Sequence, residues 1–267
     1  MPETKRKGAK SLKDIPADIL QQLNHGEIET ANLVEWLAVD QRLLLENLLD
    51  RYSRKKYLEP VLEKVGNLKK QTVNTINEAI GTGLFKEATA NNDEEFLSII
   101  STHTSDLVRC WATYTIGNDA SLSIGQMLQK IQPFAADKHF GVREISWLSV
   151  RPAIAKNLHE SLQVLSKWTA NGDQNIRRFA SEATRPRGVW CEHIEALKQD
   201  PSPGLVILEP LKADDAKYVQ DSVGNWLNDV SKTRPEFVRE LCRRWEQESP
   251  AKQTQYIIKK ALRTIDK

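Results

Sequence analysis

Apolar side chains recur along this chain at the three- to four-residue spacing of amphipathic helices, and no run alternates apolar and polar for long enough to predict a sheet. The segment after Thr30, ANLVEWLAVDQRLLLENLL, sets Leu33, Val34, Leu37, Leu44, Leu45 and Leu48 on one helical stripe, with Thr30 as the expected N-cap. Farther on, YLEPVLEKVGNLKKQTVNTINEAI predicts two helices broken near Gly66. The first ten residues, MPETKRKGAK, lack this pattern and predict a basic flexible tail over 1–10, ahead of a single repeat domain over 11–267.

The later half repeats itself. DLVRCWATY, FGVREISWL, QNIRRFASE, KYVQDSVGN and QYIIKKALR align on Val108, Val142, Ile176, Val219 and Ile257, at intervals of 34, 34, 43 and 38 residues. Four positions after each anchor stands a short side chain: Ala112, Ser146, Ala180, Val223 or Ala261. Short side chains let neighbouring helices approach closely, and helix pairs of this length bury their apolar faces only by stacking. The expected fold is all-α, a right-handed α-solenoid of HEAT-like helix pairs. Segments such as Glu160 to Ala170 and Pro235 to Gln247 supply the first helices of the pairs.

The same register separates two helix faces. Anchor positions 0, +3, +4 and +7 are mostly apolar or small, whereas +2, +6 and +9 or +10 share the other side. That second face reads Glu144, Leu148 and Arg151, then Arg178, Glu182 and Arg185, then Asp221, Asn225, Asn228 and Asp229, then Lys259 and Arg263. In a solenoid the second helices line the concave surface, so arginines and carboxylates are expected to converge there; a solvated decoration is the alternative.

Composition narrows the partners. The chain has 267 residues, 28% of them charged, and a net charge of +2, which is ordinary for a soluble globular protein. No stretch reaches the roughly 18 uninterrupted apolar residues of a membrane span, and the N-terminus lacks the apolar segment of a secretory signal. Three scattered cysteines, Cys110, Cys191 and Cys242, fit a reducing cytoplasm. Between His139 and Trp190 eight Lys/Arg stand against four acids, an excess that suits phosphates as well as a solvated helix surface.

Three blocks carry a resemblance: Gly141-Val-Arg-Glu-Ile-Ser-Trp-Leu-Ser-Val-Arg-Pro152, Ile176-Arg-Arg-Phe-Ala-Ser-Glu-Ala-Thr-Arg-Pro-Arg-Gly-Val-Trp190, and Tyr218-Val-Gln-Asp-Ser-Val-Gly-Asn-Trp-Leu-Asn-Asp-Val-Ser-Lys232. With Leu23-Asn-His-Gly-Glu-Ile-Glu-Thr30, they resemble the AlkC branch of the AlkC/AlkD family of HEAT-like-repeat DNA alkylation repair glycosylases. Long AlkC members continue into an immunoglobulin-like domain, which these 267 residues lack. The resemblance implies a concave DNA-binding face and excision of N-alkylated purines, notably 3-methyladenine, from duplex DNA without full extrusion of the lesion. It carries over Glu144, Glu182, Trp190 and Asp229 as site residues. It implies no cofactor, no metal, no obligate protein partner and a monomer acting in the cytoplasm, nucleoid-associated when on DNA.

The chemistry suits those side chains. N3- or N7-alkylation makes the base cationic and weakens its glycosidic bond, so a strong general acid is unnecessary. An oxocarbenium-like sugar must be stabilised, and a carboxylate does that while orienting water. Asp229, Glu182 and Glu144 are the candidate catalytic carboxylates; pairing of Glu182 with Arg178 or Arg185 is the structural alternative. Trp190 is the candidate lesion-contacting aromatic, or a core residue under a loop. Arg151, Arg178, Arg185, Arg187, Lys232 and Arg143 are candidate phosphate contacts, although Arg143 and Arg177, at anchor +1, are better read as bridges between repeats. Trp226 reads as packing. Cys191-x-His193 lacks two further ligands for zinc. Two other functions fit this patterning: a DNA-structure-binding repeat protein without excision activity, and a scaffold for protein partners.

Overall fold

The computed structural model of the protein describes residues 6–265. Among the described residues it is all-α, with no strand, and its helices follow in order: α1 (Ala17–Asn24), α2 (Leu33–Ala38), α3 (Gln41–Arg51), α4 (Leu58–Gly66), α5 (Val73–Ala90), α6 (Glu94–Ser101), α7 (Asp106–Gly117), α8 (Ile124–Ala135), α9 (Phe140–Lys156), α10 (Leu158–Trp168), α11 (Gln174–Glu182), α12 (Glu195–Gln199), α13 (Leu205–Leu211), α14 (Lys217–Ser231), α15 (Pro235–Glu248) and α16 (Lys252–Leu262). The chain divides into two compact units, Met1–Asp119 with Lys138–Ser149, and Ala120–Asp137 with Val150–Lys267. The division falls within α9. A helix interior carries no turn or linker signal, which is why the sequence pattern predicts one uninterrupted domain.

In the first unit α5 packs on α4 and α7, and α6 on α7, around buried Val61, Ile80, Leu84, Phe96 and Trp111. The α5–α7 approach depends on Gly81. A Cβ there would stand 2.5 Å from the Trp111 carbonyl oxygen and 2.6 Å from Tyr114 Cβ. Gly81→Ala is therefore expected to destabilise the protein by about 1–3 kcal/mol through overpacking, despite alanine's better helix propensity. Chemical denaturation checks this; an unchanged midpoint would mean the two helices can part without loss.

The stripe that begins at Leu33 divides. Asp40 accepts from the amides of Arg42 and Leu43 and starts α3 afresh, so Leu44, Leu45 and Leu48 are buried while Leu33 and Leu37 stay exposed. Thr30 is not the N-cap. Asn32 caps α2 by accepting from the Glu35 amide, while Thr30 is committed elsewhere: its amide and hydroxyl each donate to Asp106 (2.9 Å both). His139 Nε2 lies 2.9 Å from the Thr30 carbonyl, completing a buried tie between α7, the start of α9 and this loop. Of the expected tail, residues 1–5 lie outside the described residues. Residues 6–10 are held: Arg6 donates to both Glu35 carboxylate oxygens (2.7 and 2.6 Å), and the Ala9 amide donates to the same group.

In the second unit α10 packs on α8, α11 and α13, α11 on α14, and α14 on α16, with α15 against both of the last two. This is repeated helix-pair packing. The anchors Val108, Val142, Ile176, Val219 and Ile257 are all buried, as are the short residues four positions on. The residue after each of the first four anchors does one job. Arg109 donates to the carbonyls of His103 and Thr104, Arg143 to Lys138, Arg177 to Asn171 and Gly172, and Gln220 to Asp214 and Asp215. Each side chain thus satisfies carbonyls in the turn before its own helix, where no helical amide reaches. Arg177 also forms a two-point ion pair with Asp214, in the turn before α14 (2.6 and 3.0 Å), so its expected bridging role between repeats is realised.

Candidate active site

Glu182 closes α11 and Asp229 lies near the end of α14, and Arg185 joins them. Arg185 stands three residues beyond the end of α11, where Pro186 prevents the helix from resuming. Its Nε donates to Asp229 Oδ2 (2.9 Å), its Nη1 donates to Glu182 Oε1 (2.7 Å), and its Nη2 lies 2.9 Å from Asp229 Oδ2. Glu182 and Asp229 are only 5% and 4% exposed. Both acids pay a desolvation penalty that the guanidinium offsets.

The two carboxylates differ in what remains free. Glu182 Oε2 accepts the Ser222 hydroxyl (2.7 Å), and Ser222 in turn accepts the Ser181 hydroxyl (2.8 Å). Arg178 Nη2 stands 3.7 Å from the same oxygen, with its guanidinium stacked 4.1 Å from the centre of the Tyr218 ring. Every oxygen of Glu182 is engaged. Asp229 gives Oδ2 to Arg185, but among the described residues Oδ1 has only Lys232 Nζ at 3.5 Å, on a side chain that is nearly half exposed. The protonation tendencies diverge accordingly. Burial pushes Glu182 up, but Arg178, Arg185 and the Ser222 hydrogen bond together hold it below the ordinary glutamate range. Burial dominates at Asp229 and lifts it above the ordinary aspartate range despite Arg185 and Lys232.

The turn after Pro186 carries the aromatic. Its closing bond runs from the Ile194 amide to the Pro186 carbonyl (3.0 Å). Trp190 stands at its tip, 86% exposed, with φ +57°. A bulky residue in the left-handed region is unfavourable unless the surroundings impose it. Trp190 is therefore a surface residue and not a core one. Trp226 is fully buried beneath this region, donating its indole N–H to the Thr184 carbonyl (3.0 Å). The Cys191 thiol beside Trp190 is pushed up by burial and stays protonated at neutral pH, which makes it a poor nucleophile.

Several expected roles change. Arg151 is 3% exposed and gives its guanidinium to three main-chain carbonyls, so it is not placed to meet a phosphate. Arg178 and Arg185 are likewise turned inward onto Tyr218, Glu182 and Asp229. Half-buried Arg187 and exposed Lys232 keep surface access. Glu144 belongs to the first unit, where it is half-buried and accepts the Trp147 indole N–H (2.9 Å). Sequence reasoning did not identify Ser222 or Tyr218. Ser222 had a usable signal: it occupies the +3 position where Trp111, Ile145 and Phe179 stand in the preceding repeats. A hydroxyl in a buried stripe needs a polar partner. Among the described residues no group of three His, Cys, Asp or Glu side chains could hold a metal ion, and no helix is long and apolar enough to cross a membrane.

Residues 142–265 match a family described as DNA alkylation repair enzyme. A stretch of 120 residues is 43% identical to the uncharacterized protein YhaZ of Bacillus subtilis (strain 168), covering 45% of this chain and 33% of that protein. Solved structures share the fold. The Pseudomonas fluorescens alkylpurine DNA glycosylase AlkC, bound to DNA containing an abasic site analog, superposes with a TM-score of 0.67 at 21% identity, over 97% of this chain and 66% of its own. AlkD2 from Streptococcus mutans gives 0.62 at 21% identity, over 82% of this chain and 100% of its own. The chain thus spans about a third of the Bacillus relative and about two thirds of the AlkC chain. It has the AlkC/AlkD-like all-α repeat fold, and residues 142–265 are similar to the family described as DNA alkylation repair enzyme.

Proposed function

We propose that this protein is a DNA glycosylase of the AlkC type that excises cationic N-alkylated purines, such as 3-methyladenine, from duplex DNA in base excision repair. The observation that carries the reading is the unequal clamping of the two acids: Arg185 fixes Asp229 through one oxygen and leaves the other beside half-exposed Lys232. As the C1′–N bond of an alkylated purine breaks, the base takes the bonding electrons and leaves neutral, and positive charge develops on the sugar. The Asp229 carboxylate stabilises that charge. Water then adds its hydroxyl to C1′, and its proton passes to Asp229 and on to solvent. Glu182, with both oxygens engaged, acts by holding Arg185 and therefore Asp229. No step requires protonation of the leaving base.

Trp190 offers its ring face to the cationic base or sugar. Trp190→Ala is expected to weaken binding to alkylated DNA by about 0.5–2 kcal/mol and to leave thermal stability unchanged, because the ring buries little. Titration of labelled lesion duplex beside a melting curve tests both halves; a large fall in melting temperature would make Trp190 structural. Arg187 and Lys232 are the remaining phosphate contacts of the proposal.

Selectivity tests the chemistry. Duplexes carrying 3-methyladenine and 7-methylguanine should lose those bases, while a duplex carrying hypoxanthine, which is uncharged, should not. Equal release of the neutral base would require a general acid and would overturn this mechanism. A second reading, DNA binding without excision, is favoured by the near-complete burial of both acids; binding with no base release from any of these duplexes would establish it.

A further inference from the structure

The cluster holds one more charged side chain that the proposed chemistry does not use. Arg151, from the last turns of α9, is buried without a carboxylate in contact. Its Nη1 donates to the Ala183 carbonyl (2.9 Å), its Nη2 to the Arg185 carbonyl (2.6 Å), and its Nε to the Glu192 carbonyl (3.1 Å). Burying an arginine against main-chain carbonyls alone is costly, and packing a turn would be better served by an apolar residue. A planar fork with donors in three fixed directions does something an apolar residue cannot: it sets the relative positions of three carbonyls.

Those carbonyls are informative. Ala183 and Arg185 lie in the segment that follows the end of α11, and Arg185 is the residue whose side chain clamps both acids. Glu192 lies on the far limb of the turn, two residues beyond Trp190. Gly188, on the near limb, packs against the same guanidinium, since a Cβ there would stand 3.2 Å from Arg151 Cζ. The turn is thus pinned on both sides of Trp190 by the group that also pins the Arg185 backbone.

We infer that Arg151 is a positioning residue that fixes the exposed Trp190 and the Arg185 clamp on Asp229 in one register. It touches neither acid and no ligand; it acts through the main chain. Its charge also adds to the field that Glu182 and Asp229 balance at longer range.

The test uses the full chain with Arg151→Met, which keeps length and packing, and Arg151→Lys, which keeps the charge but offers one nitrogen for three carbonyls. Two readouts are taken, amide hydrogen exchange and single-turnover release of 3-methyladenine at saturating protein. Only the second rests on the proposed glycosylase activity. In both variants exchange over residues 187–194, including the Ile194 amide, should rise by about tenfold or more, with α10 and α14 unchanged. Release should fall by roughly tenfold or more while binding to lesion DNA changes by less than about threefold. Unchanged exchange in the turn, or exchange that rises equally across the second unit, would overturn the inference, the latter by showing an ordinary core residue. Full release with a loosened turn would also overturn it. If the unsubstituted protein releases no base, the glycosylase reading fails on its own, and the exchange pattern still decides whether Arg151 holds the turn. Arg151→Lys serves as the reporter should Arg151→Met fail to fold.

Discussion

Asp229→Asn is expected to lower base release by about 10²–10³-fold while leaving affinity for alkylated duplex within a few-fold. The substitution keeps a carbonyl oxygen where Arg185 Nε donates, so the clamp retains its shape and only the negative charge is lost. An electrostatic contribution made at the transition state should appear in the rate constant of release and not in ground-state binding. Glu182→Gln should have a smaller effect on release, because Glu182 acts through Arg185, but a larger effect on stability, because it would also unbalance Arg178 and Arg185. The pH dependence carries a sign. Burial lifts the Asp229 carboxyl above the ordinary aspartate range, and the charged form is the active one. Release should therefore decline on the acid side at a higher pH than an exposed aspartate would give, and Asp229→Asn should abolish that limb of the profile. Single-turnover release and equilibrium binding, measured on the same duplex across pH, check all of this. Parallel loss of release and binding in Asp229→Asn would mean the acid is structural.

Arg185→Met should be the most destabilising single change in the site, at about 3–5 kcal/mol near neutral pH, because it leaves the two buried carboxylates with only the longer cation contacts, to Arg178 (3.7 Å) and Lys232 (3.5 Å). In the native protein Glu182 lies below the ordinary glutamate range, so its stabilising contribution is present at neutral pH and is lost as pH falls through its folded value. Asp229 runs the other way: its raised value means that stability declines as pH rises through it. Without Arg185 both carboxyls are held up by burial, and both then disfavour the folded state as they ionise. The stability deficit of Arg185→Met relative to the native protein should be largest near neutral pH and shrink towards about pH 4, where protonation removes the stranded charge. Urea denaturation at the two pH values measures it. A deficit independent of pH would show that the loss is one of packing rather than charge.

The legible parts of this molecule were those fixed by helical period alone. The buried anchors and the short residues four positions on need only the recurrence of apolar and small side chains, and no knowledge of what covers them. The split of α2 from α3 was hidden because the leucine stripe runs straight across Asp40, whose capping role depends on the amides of Arg42 and Leu43 turning towards it. The arginines were hardest. Helical position places Arg151, Arg178 and Arg185 at an angle around an axis, but says nothing of the Pro186–Ile194 turn, which supplies the Glu192 carbonyl to Arg151, or of Tyr218 stacking on Arg178. Residues that pattern alone assigns to phosphate are thereby consumed within the protein. The pairing of Glu182 with Arg178 and Arg185, raised at first as the structural alternative to catalysis, is present. It is compatible with catalysis because Arg185 holds Asp229 through Oδ2 and leaves Oδ1 to the half-exposed Lys232 ammonium at 3.5 Å.

Dimethyl sulfate-treated duplex DNA, incubated with the purified full chain and assayed for free bases by chromatography, puts the proposed activity to its most direct trial. Time-dependent appearance of 3-methyladenine above the spontaneous rate is the expected result. Spontaneous-rate release alone, from a protein that demonstrably binds the duplex, would contradict it and leave a DNA-binding repeat protein whose buried acids serve the fold.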